Sequence, residues 1–319
     1  MPSHANRHFP LSIENIALNP DLSPRVCSLL TRVDFISSVG VVTSMNTQQQ
    51  QTREAWDAIA AGYDEFVTPT HRPVSKTALD TAGLQRGMRF LDVAAGTGAL
   101  SLPAARIGAE VVATDISPAM VEHLEARAKA MGFPNVEARV MDGHALELED
   151  DTFDVSGSQY GVMLFPDLPR ALGEMVRVTT PGGRVFIVVF GDPEEVEFLG
   201  FFMRAMRTVI PDFEGLPLDP TPLPFQVSDP RKLRQRLREA GLKEVHVETV
   251  AEELEFDSGH HLWDWLMNSN PIAGALVADT TEEQRIAARK VLDEMLRARA
   301  GETGPAVLTQ PVHIGIGTK

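Results

Sequence analysis

The 319-residue sequence has one cysteine, Cys27, which excludes an internal disulfide and any metal site built from several thiolates. It is also short of positive charge. Lys and Arg number 29 against 44 Asp and Glu, and the formal net charge of −15 repels a phosphate backbone, so no nucleic-acid partner is expected. No apolar run approaches the roughly 20 residues of a spanning helix, and no basic segment followed by an apolar stretch opens the chain. These absences predict a cytoplasmic protein without membrane insertion, long enough for one large domain with an appended cap. There are no internal repeats.

Residues 1–45 show mixed polarity and no sustained period, and are expected to be a tail that is either disordered or precedes the true start at Met45. Residues 46–319 are expected to form a single domain. Its N-terminal helices occupy 46–88, a ligand-binding core 89–191, a cap insertion 192–230, and the C-terminal part of the fold with added helices 231–319. From Thr52 the pattern TREAWDAIAAGYDEF places Ala55, Ile59 and Ala60 on one helical face, ending near Gly62. Strands are predicted at MRFLDVA, EVVATDI, VEARVMD, FDVSGSQY and GRVFIVVF, alternating with helices, which indicates βαβ units and a parallel sheet covered on both faces. The PGGR stretch, Pro181–Arg184, reads as a tight turn before the fifth strand. A later helix over DPRKLRQRLREAGL has Asp229 as its cap, Pro230 in its first turn and Gly241 at its end. It precedes a strand KEVHVETV, helices near Leu262–Met267 and Glu282–Arg299, and a last strand PVHIGIGT.

The chemistry concentrates where FLDVAAGTGALS runs from the first strand into a glycine loop. Gly96 and Gly98 permit close backbone approach at the carboxyl end of a parallel strand, where open α/β sheets bind nucleotides. The third glycine of the dinucleotide fingerprint is missing; Ser101 stands in its place. Asp92, just ahead of the glycines, would repel a pyrophosphate and attract an ammonium or sulfonium. Asp115, ending the second strand, is suited to accept both ribose hydroxyls of an adenosine.

The ordered series LDVAAGTG, VVATDISPAMVEHLEARA, VMDGHALELEDDTFDVSGSQYGVMLFPD and ALGEMVRVTTPGGRVFIV resembles the successive motifs of class I S-adenosylmethionine-dependent methyltransferases. The similarity runs over roughly Trp56–Phe190 and is greatest to the ubiquinone/menaquinone-biosynthesis-like (methyltransferase type 11) subgroup. The resemblance implies a Rossmann-like seven-stranded, mostly parallel sheet with helices on both faces, its last strand antiparallel, and a helical cap. It also implies S-adenosyl-L-methionine as cofactor and S-adenosyl-L-homocysteine as product. Carried over by position, Asp92, Ala94, Gly96, Thr97 and Gly98 would wrap the methionine part and Asp115 the ribose, with Ile116 and Met120 flanking the adenine. Asp142 and the backbone of Gly143 would meet the adenine amino group, Ser158, Gln159 and Tyr160 would border the methyl group, and Tyr63 would close over the site.

The acceptor is less constrained. SQYGVMLFPD replaces the Asn/Asp-Pro-Pro-aromatic tetrapeptide of amino-directed nucleic-acid methyltransferases, and the insertion at 192–230 departs from the quinone-biosynthesis pattern. The expected acceptor is a small, fairly apolar molecule methylated on O, N or C, beneath a cap containing Phe198, Phe201, Phe202 and Met206; those residues suit a homodimer face equally well. Tyr160 and Trp263 are the expected acceptor-lining residues. Tyr160 and His71 carry groups able to act as a base, and each reads equally as structural, so no catalytic residue is assigned. His260, His261 and Asp264 do not make a metal site, because adjacent helical histidines point apart. A non-catalytic binder of the same cofactor and an NAD(P)-dependent oxidoreductase are the alternative readings.

Overall fold

A computed structural model describes residues 43–215, 219–301 and 304–319. The chain divides into two units, Met1–Thr52 and Arg53–Lys319. Of the expected tail over residues 1–45, all but the last three positions lies outside the described residues; those three open helix α1 (Thr43–Gly62). All the described strands lie in the second unit.

β1 (Arg89–Val93), β2 (Glu110–Asp115), β3 (Val136–Val140), β4 (Phe153–Gln159), β5 (Thr179–Phe190), β6 (Lys243–Phe256) and β7 (Ala306–Thr318) form one sheet in the order 3-2-1-4-5-7-6. β1 to β5 pair in parallel, and β7 is the antiparallel last strand that the resemblance implies; it lies between β5 and β6. Helices α2 (Arg72–Ala82), α3 (Ser101–Ile107), α4 (Pro118–Ala130), α5 (Leu168–Val178) and α7 (Pro230–Glu239) flank the sheet. Their starts are written locally. Ser117, Asp167 and Asp229 each accept a backbone N–H of the first turn, and a proline follows within two positions, where its missing N–H costs nothing. Phe90, Leu91, Val93, Val185, Phe186, Ile187 and Val188 of the central strands are buried against Leu79, Leu124 and Leu172 of the helices. Each such side chain contributes roughly 1.5–3 kcal/mol.

Two boundaries differ from expectation. The PGGR stretch, residues 181–184, is not a turn ahead of β5 but an irregularity within it: the register on β4 jumps from Phe153↔Thr179 to Val155↔Arg184, with Gly182 at φ 83°. β6 and β7 are also longer than read, because they pair with each other from Lys243↔Thr318 to Phe256↔Ala306, whereas β5 reaches only Phe190↔Val312. The remaining stretch, residues 251–256 with 306–311, is a two-stranded ribbon that overhangs the carboxyl edge of the sheet.

The overhang carries the cap. Leu254, Phe256 and Leu308 pack with α6 (Glu197–Val209), α8 (Gly259–Ser269) and α10 (Glu282–Ala300) into a second apolar cluster; α9 (Pro271–Leu276) lies between α8 and α10 in the chain. Phe198, Phe202 and Met206 are buried here, so this part of the α6 face is used by the chain's own core.

Candidate functional site

The loop after β1 leaves the sheet through two left-handed residues in close succession, Ala94 at φ 56° and Gly96 at φ 54°, with Gly98 at φ 97°. Glycine tolerates this conformation; alanine pays a steric penalty, and such strain persists where the surroundings enforce it. A side chain at Gly96 would approach the Tyr63 ring at 3.3 Å, so the glycine lets that ring lie on the loop.

Asp92, next to last in β1, lies beneath this loop and is 1% exposed. Its Oδ2 accepts from Ser101 Oγ at 2.5 Å, while Oδ1 is buried with no partner among the described residues. Burial pushes this carboxyl from 3.8 up to about 7, a rise that the Ser101 bond opposes and the charge of Asp115 assists. Asp115, at the end of β2, accepts from Gly96 N–H and Ser117 N–H, both at 2.9 Å; burial raises it to about 6 although these bonds pull the other way. Asp92 thus faces a desolvated cleft with one oxygen left bare, and Asp115 is close enough for its charge to act on it. A buried anionic acceptor of this kind calls for a cation.

The part of α1 from Arg53 onward closes over the loop. Arg53 Nε donates to the Ile116 carbonyl (3.2 Å), and Asp57 Oδ1 accepts from Ser117 Oγ (2.5 Å) and Ala119 N–H (3.2 Å) at the start of α4. Beyond α1, a π-type turn, Tyr63–Val67, brings Tyr63 to the cleft, and Thr68 Oγ1 bonds Thr97 Oγ1 at 2.6 Å. The Tyr63 phenol is pushed upward by burial and by Asp115, Glu252 and Asp92, and so stays protonated. Arg53 and Asp57 escape sequence reading because each acts on backbone some 60 residues away.

The cleft is lined by Tyr63, His71, Asp92, Ala94, Ala95, Ala99, Leu100, Gln159 and Tyr160. Of the residues expected at the methyl group, Gln159 and Tyr160 are on this wall. Ser158 is fully buried and its Oγ accepts from Val162 N–H (3.1 Å), a bond that shapes the turn after β4. Met120 is buried in α4, and the Ile116 carbonyl faces Arg53. Asp142 lies on the far side of β2; Oδ1 accepts from the N–H and Nδ1 of His144, both at 2.9 Å, and the imidazole bond holds the carboxyl below the usual range. At Gly143 the Phe165 ring packs so closely that a Cβ would meet it at 2.6 Å. Trp263 is in the cap, beside Phe202 and under Arg289, and not on the cleft wall. Its neighbour Trp265 is nearer the site: its ring lies 6.2 Å from that of His71, and Nε1 donates to Thr70 Oγ1 at 3.2 Å.

Behind the wall, Glu252 of the overhanging ribbon is 3% exposed, accepts from Tyr160 OH (2.7 Å) and Gln310 Nε2, and is hydrogen-bonded to His71 Nδ1 at 3.0 Å. Tyr160 adopts φ 56°, held by its N–H to Val188 O (2.9 Å) and its hydroxyl to Glu252. Burial and the Glu252 charge push its phenol well above the ordinary value. Ser75 Oγ and Gln159 Oε1 (2.8 Å) extend the network. Glu252 is absent from the expected site, yet the sequence contains its signal: in EELEF it shares the strand face of Leu254 and Phe256, and a carboxylate in line with a buried face needs partners.

Residues 44–217, more than half of the chain, match the ubiE/COQ5 methyltransferase family. The chain belongs to that family. It is 31% identical over 217 residues to a demethylmenaquinone methyltransferase of Streptomyces avermitilis, covering 63% of this chain and 90% of the relative. To the ubiquinone/menaquinone biosynthesis C-methyltransferase UbiE of Idiomarina loihiensis it is 35% identical over 156 residues, 46% of this chain and 62% of that one. The match to the Mycobacterium tuberculosis protein Rv1405c, 38% over 139 residues, spans 44% of this chain and about half, 48%, of the relative. The fold is that of YcgJ from Bacillus subtilis, with a TM-score of 0.51 at 19% identity over 77% of this chain and 98% of that one. The residues around the cleft are compatible in their chemistry with S-adenosylmethionine, the cofactor that the resemblance implies. The bare Oδ1 of Asp92 suits a cationic group, Asp115 retains lone pairs for hydroxyl donors, and Gly96 and Gly98 leave room for backbone approach. The family match stops at residue 217, whereas Glu252, Trp265 and Gln310 lie beyond it.

Proposed function

We propose that this ubiE/COQ5 family protein transfers a methyl group from S-adenosylmethionine to an O, N or C atom of a small, fairly apolar molecule. The observation that carries the reading is the unpartnered buried oxygen of Asp92 beside Asp115: a pyrophosphate would be repelled there, and a sulfonium- and ammonium-bearing adenosine attracted. When bound, that cofactor supplies a methyl carbon already activated by its sulfonium. Asp92 and the glycine loop of Ala94, Gly96, Thr97 and Gly98 would hold its methionine part, Asp115 its ribose, and Ile116, Met120, Asp142 and Gly143 the adenine; Ser158, Gln159 and Tyr160 would border the methyl group, under Tyr63. Holding the reactants in line and excluding water is worth about 7–11 kcal/mol of barrier.

The acceptor class rests on the aromatic shell behind Tyr160. Phe190 stacks on it at 4.8 Å, and Phe198 and Phe225 follow at 6.3 and 6.0 Å from Phe190. The Streptomyces avermitilis relative, by name a demethylmenaquinone methyltransferase, supports an apolar acceptor without fixing which one. Incubation with donor labelled in the methyl group and a panel of apolar phenols, quinols, amines and carbon acids, followed by organic extraction, tests this reading. Label in the organic phase that requires Asp115 supports it; label retained only by polar acceptors contradicts it.

A further inference from the structure

We propose that His71, oriented by Glu252, is the general base of the reaction, and that the acceptor is therefore a weakly acidic O–H or C–H group that arrives with its proton in place. The proposal rests on the methyltransferase reading and deepens it.

The polar side chains on the cleft wall are Tyr63, His71, Asp92, Gln159 and Tyr160. Both phenols are buried beside carboxylates that keep them protonated, so they can donate but not accept a proton. Gln159 has no basic group. Asp92 is bonded to Ser101 under the glycine loop and is the group that a cationic cofactor would engage. His71 remains, and its surroundings are built around it. Glu252 accepts from Tyr160 OH at 2.7 Å and from Gln310 Nε2, and lies 3.0 Å from His71 Nδ1. An ionised carboxylate in that position is acceptor-only, which assigns the imidazole proton to Nδ1 and leaves the lone pair on Nε2. No described residue bonds Nε2. A carboxylate that fixes the tautomer and steadies the imidazolium as it forms is the recurring support for a histidine base.

A purely structural role accounts poorly for this arrangement. Glu252 interrupts the apolar face continued by Leu254 and Phe256, where an apolar residue would avoid the desolvation cost of a buried carboxylate. The strained φ of Tyr160 lies on the same carboxylate, at the cleft and not in the core between sheet and helices. The step balances without a further reactant. As the acceptor's electron pair forms a bond to the methyl carbon, the carbon–sulfur pair stays on sulfur, and the acceptor proton moves to His71 Nε2; the positive charge of the sulfonium ends on the imidazolium, paired with Glu252.

The test uses the full chain in complex with S-adenosylhomocysteine, labelled with ¹⁵N in histidine, as parent, His71→Asn and Glu252→Gln proteins. The His71 signal, identified by its loss in His71→Asn, is expected at pH 8 as a single Nδ1–H tautomer with Nε2 unprotonated, and as a mixture of tautomers in Glu252→Gln. The affinity for S-adenosylhomocysteine is expected within about threefold of the parent in both variants, since His71, though on the cleft wall, and Glu252 behind it are not among the residues assigned to hold the cofactor. A His71 ring protonated on Nε2, or on both nitrogens, overturns the proposal, as does a loss of affinity greater than about tenfold in His71→Asn. Absence of S-adenosylhomocysteine binding by the parent overturns the donor site itself, an outcome separate from the tautomer result.

Discussion

Asp92 is the residue on which most depends, and it is held at a cost to stability. Its carboxyl rises from 3.8 to about 7 on folding. Between those values the native state holds a proton that the unfolded chain has released, so stability falls as pH rises from about 4 to about 7, and the penalty is complete above that range. At about 1.4 kcal/mol per pH unit the penalty is on the order of 4 kcal/mol at most. Asp92→Asn removes the titration: denaturant unfolding at pH 5 and pH 8 is expected to show a smaller loss of stability between the two for the variant than for the parent, with the variant the more stable at pH 8. The same substitution deletes the bare anionic oxygen, so affinity for S-adenosylmethionine falls tenfold or more, measured by calorimetry at pH 8. In the parent that affinity rises with pH as Asp92 ionises. A variant that lost stability at pH 8 and kept its affinity would show that Asp92 serves only to cap the loop.

At the scale of elements, the ribbon formed by β6 and β7 joins the cap to the chemistry. Trp265 is fully buried where α8 meets the cleft wall, packed on Phe198 at 4.9 Å and Phe256 at 5.8 Å. Trp265→Phe keeps the packing and loses the bond to Thr70 Oγ1, an expected cost of about 1 kcal/mol; Trp265→Ala opens a cavity and is expected to cost about 3–5 kcal/mol. Thermal unfolding separates the two, and equal costs would mean that packing alone holds the joint. The sheet itself presents a tighter constraint. A Cβ at Gly157 would lie 2.4 Å from the Phe186 ring, so Gly157→Ala is expected to cost about 1–3 kcal/mol by overpacking, read as a lowered denaturant midpoint with an unchanged slope.

The same elements explain what the sequence discloses. The parallel strands and the glycine loop are legible because their signals are local: apolar runs of strand length, caps at Ser117 and Asp229, and glycines where φ turns positive. Glu252 is harder to see: its alternation with Leu254 and Phe256 in EELEF becomes a signal only if the strand runs past Val250, and the pairing Glu252↔Gln310, set by a segment 58 residues away, is what carries it on. Trp263 and Trp265 illustrate the same limit. Two residues apart on a helix, they point to different sides, and the sequence does not say which side meets His71. The segment 181–183 reads as a turn from composition, and becomes a bulge only because β4 and β7 both hold the strand that contains it.

At the scale of the whole molecule, the proposed site is a cleft for a cationic adenosyl cofactor in a protein of net charge −15. Such a ligand binds the native state alone, and at a hundred times its dissociation constant adds about 2.7 kcal/mol of stability. Thermal unfolding of the parent and of Asp115→Ala, each with S-adenosylhomocysteine and, in parallel, with NAD, is the most direct test. The prediction is a concentration-dependent rise in Tm with S-adenosylhomocysteine, none with NAD, and loss of the rise in Asp115→Ala. A rise with NAD alone, or no rise with S-adenosylhomocysteine at saturating concentration, would contradict the assignment of the cleft.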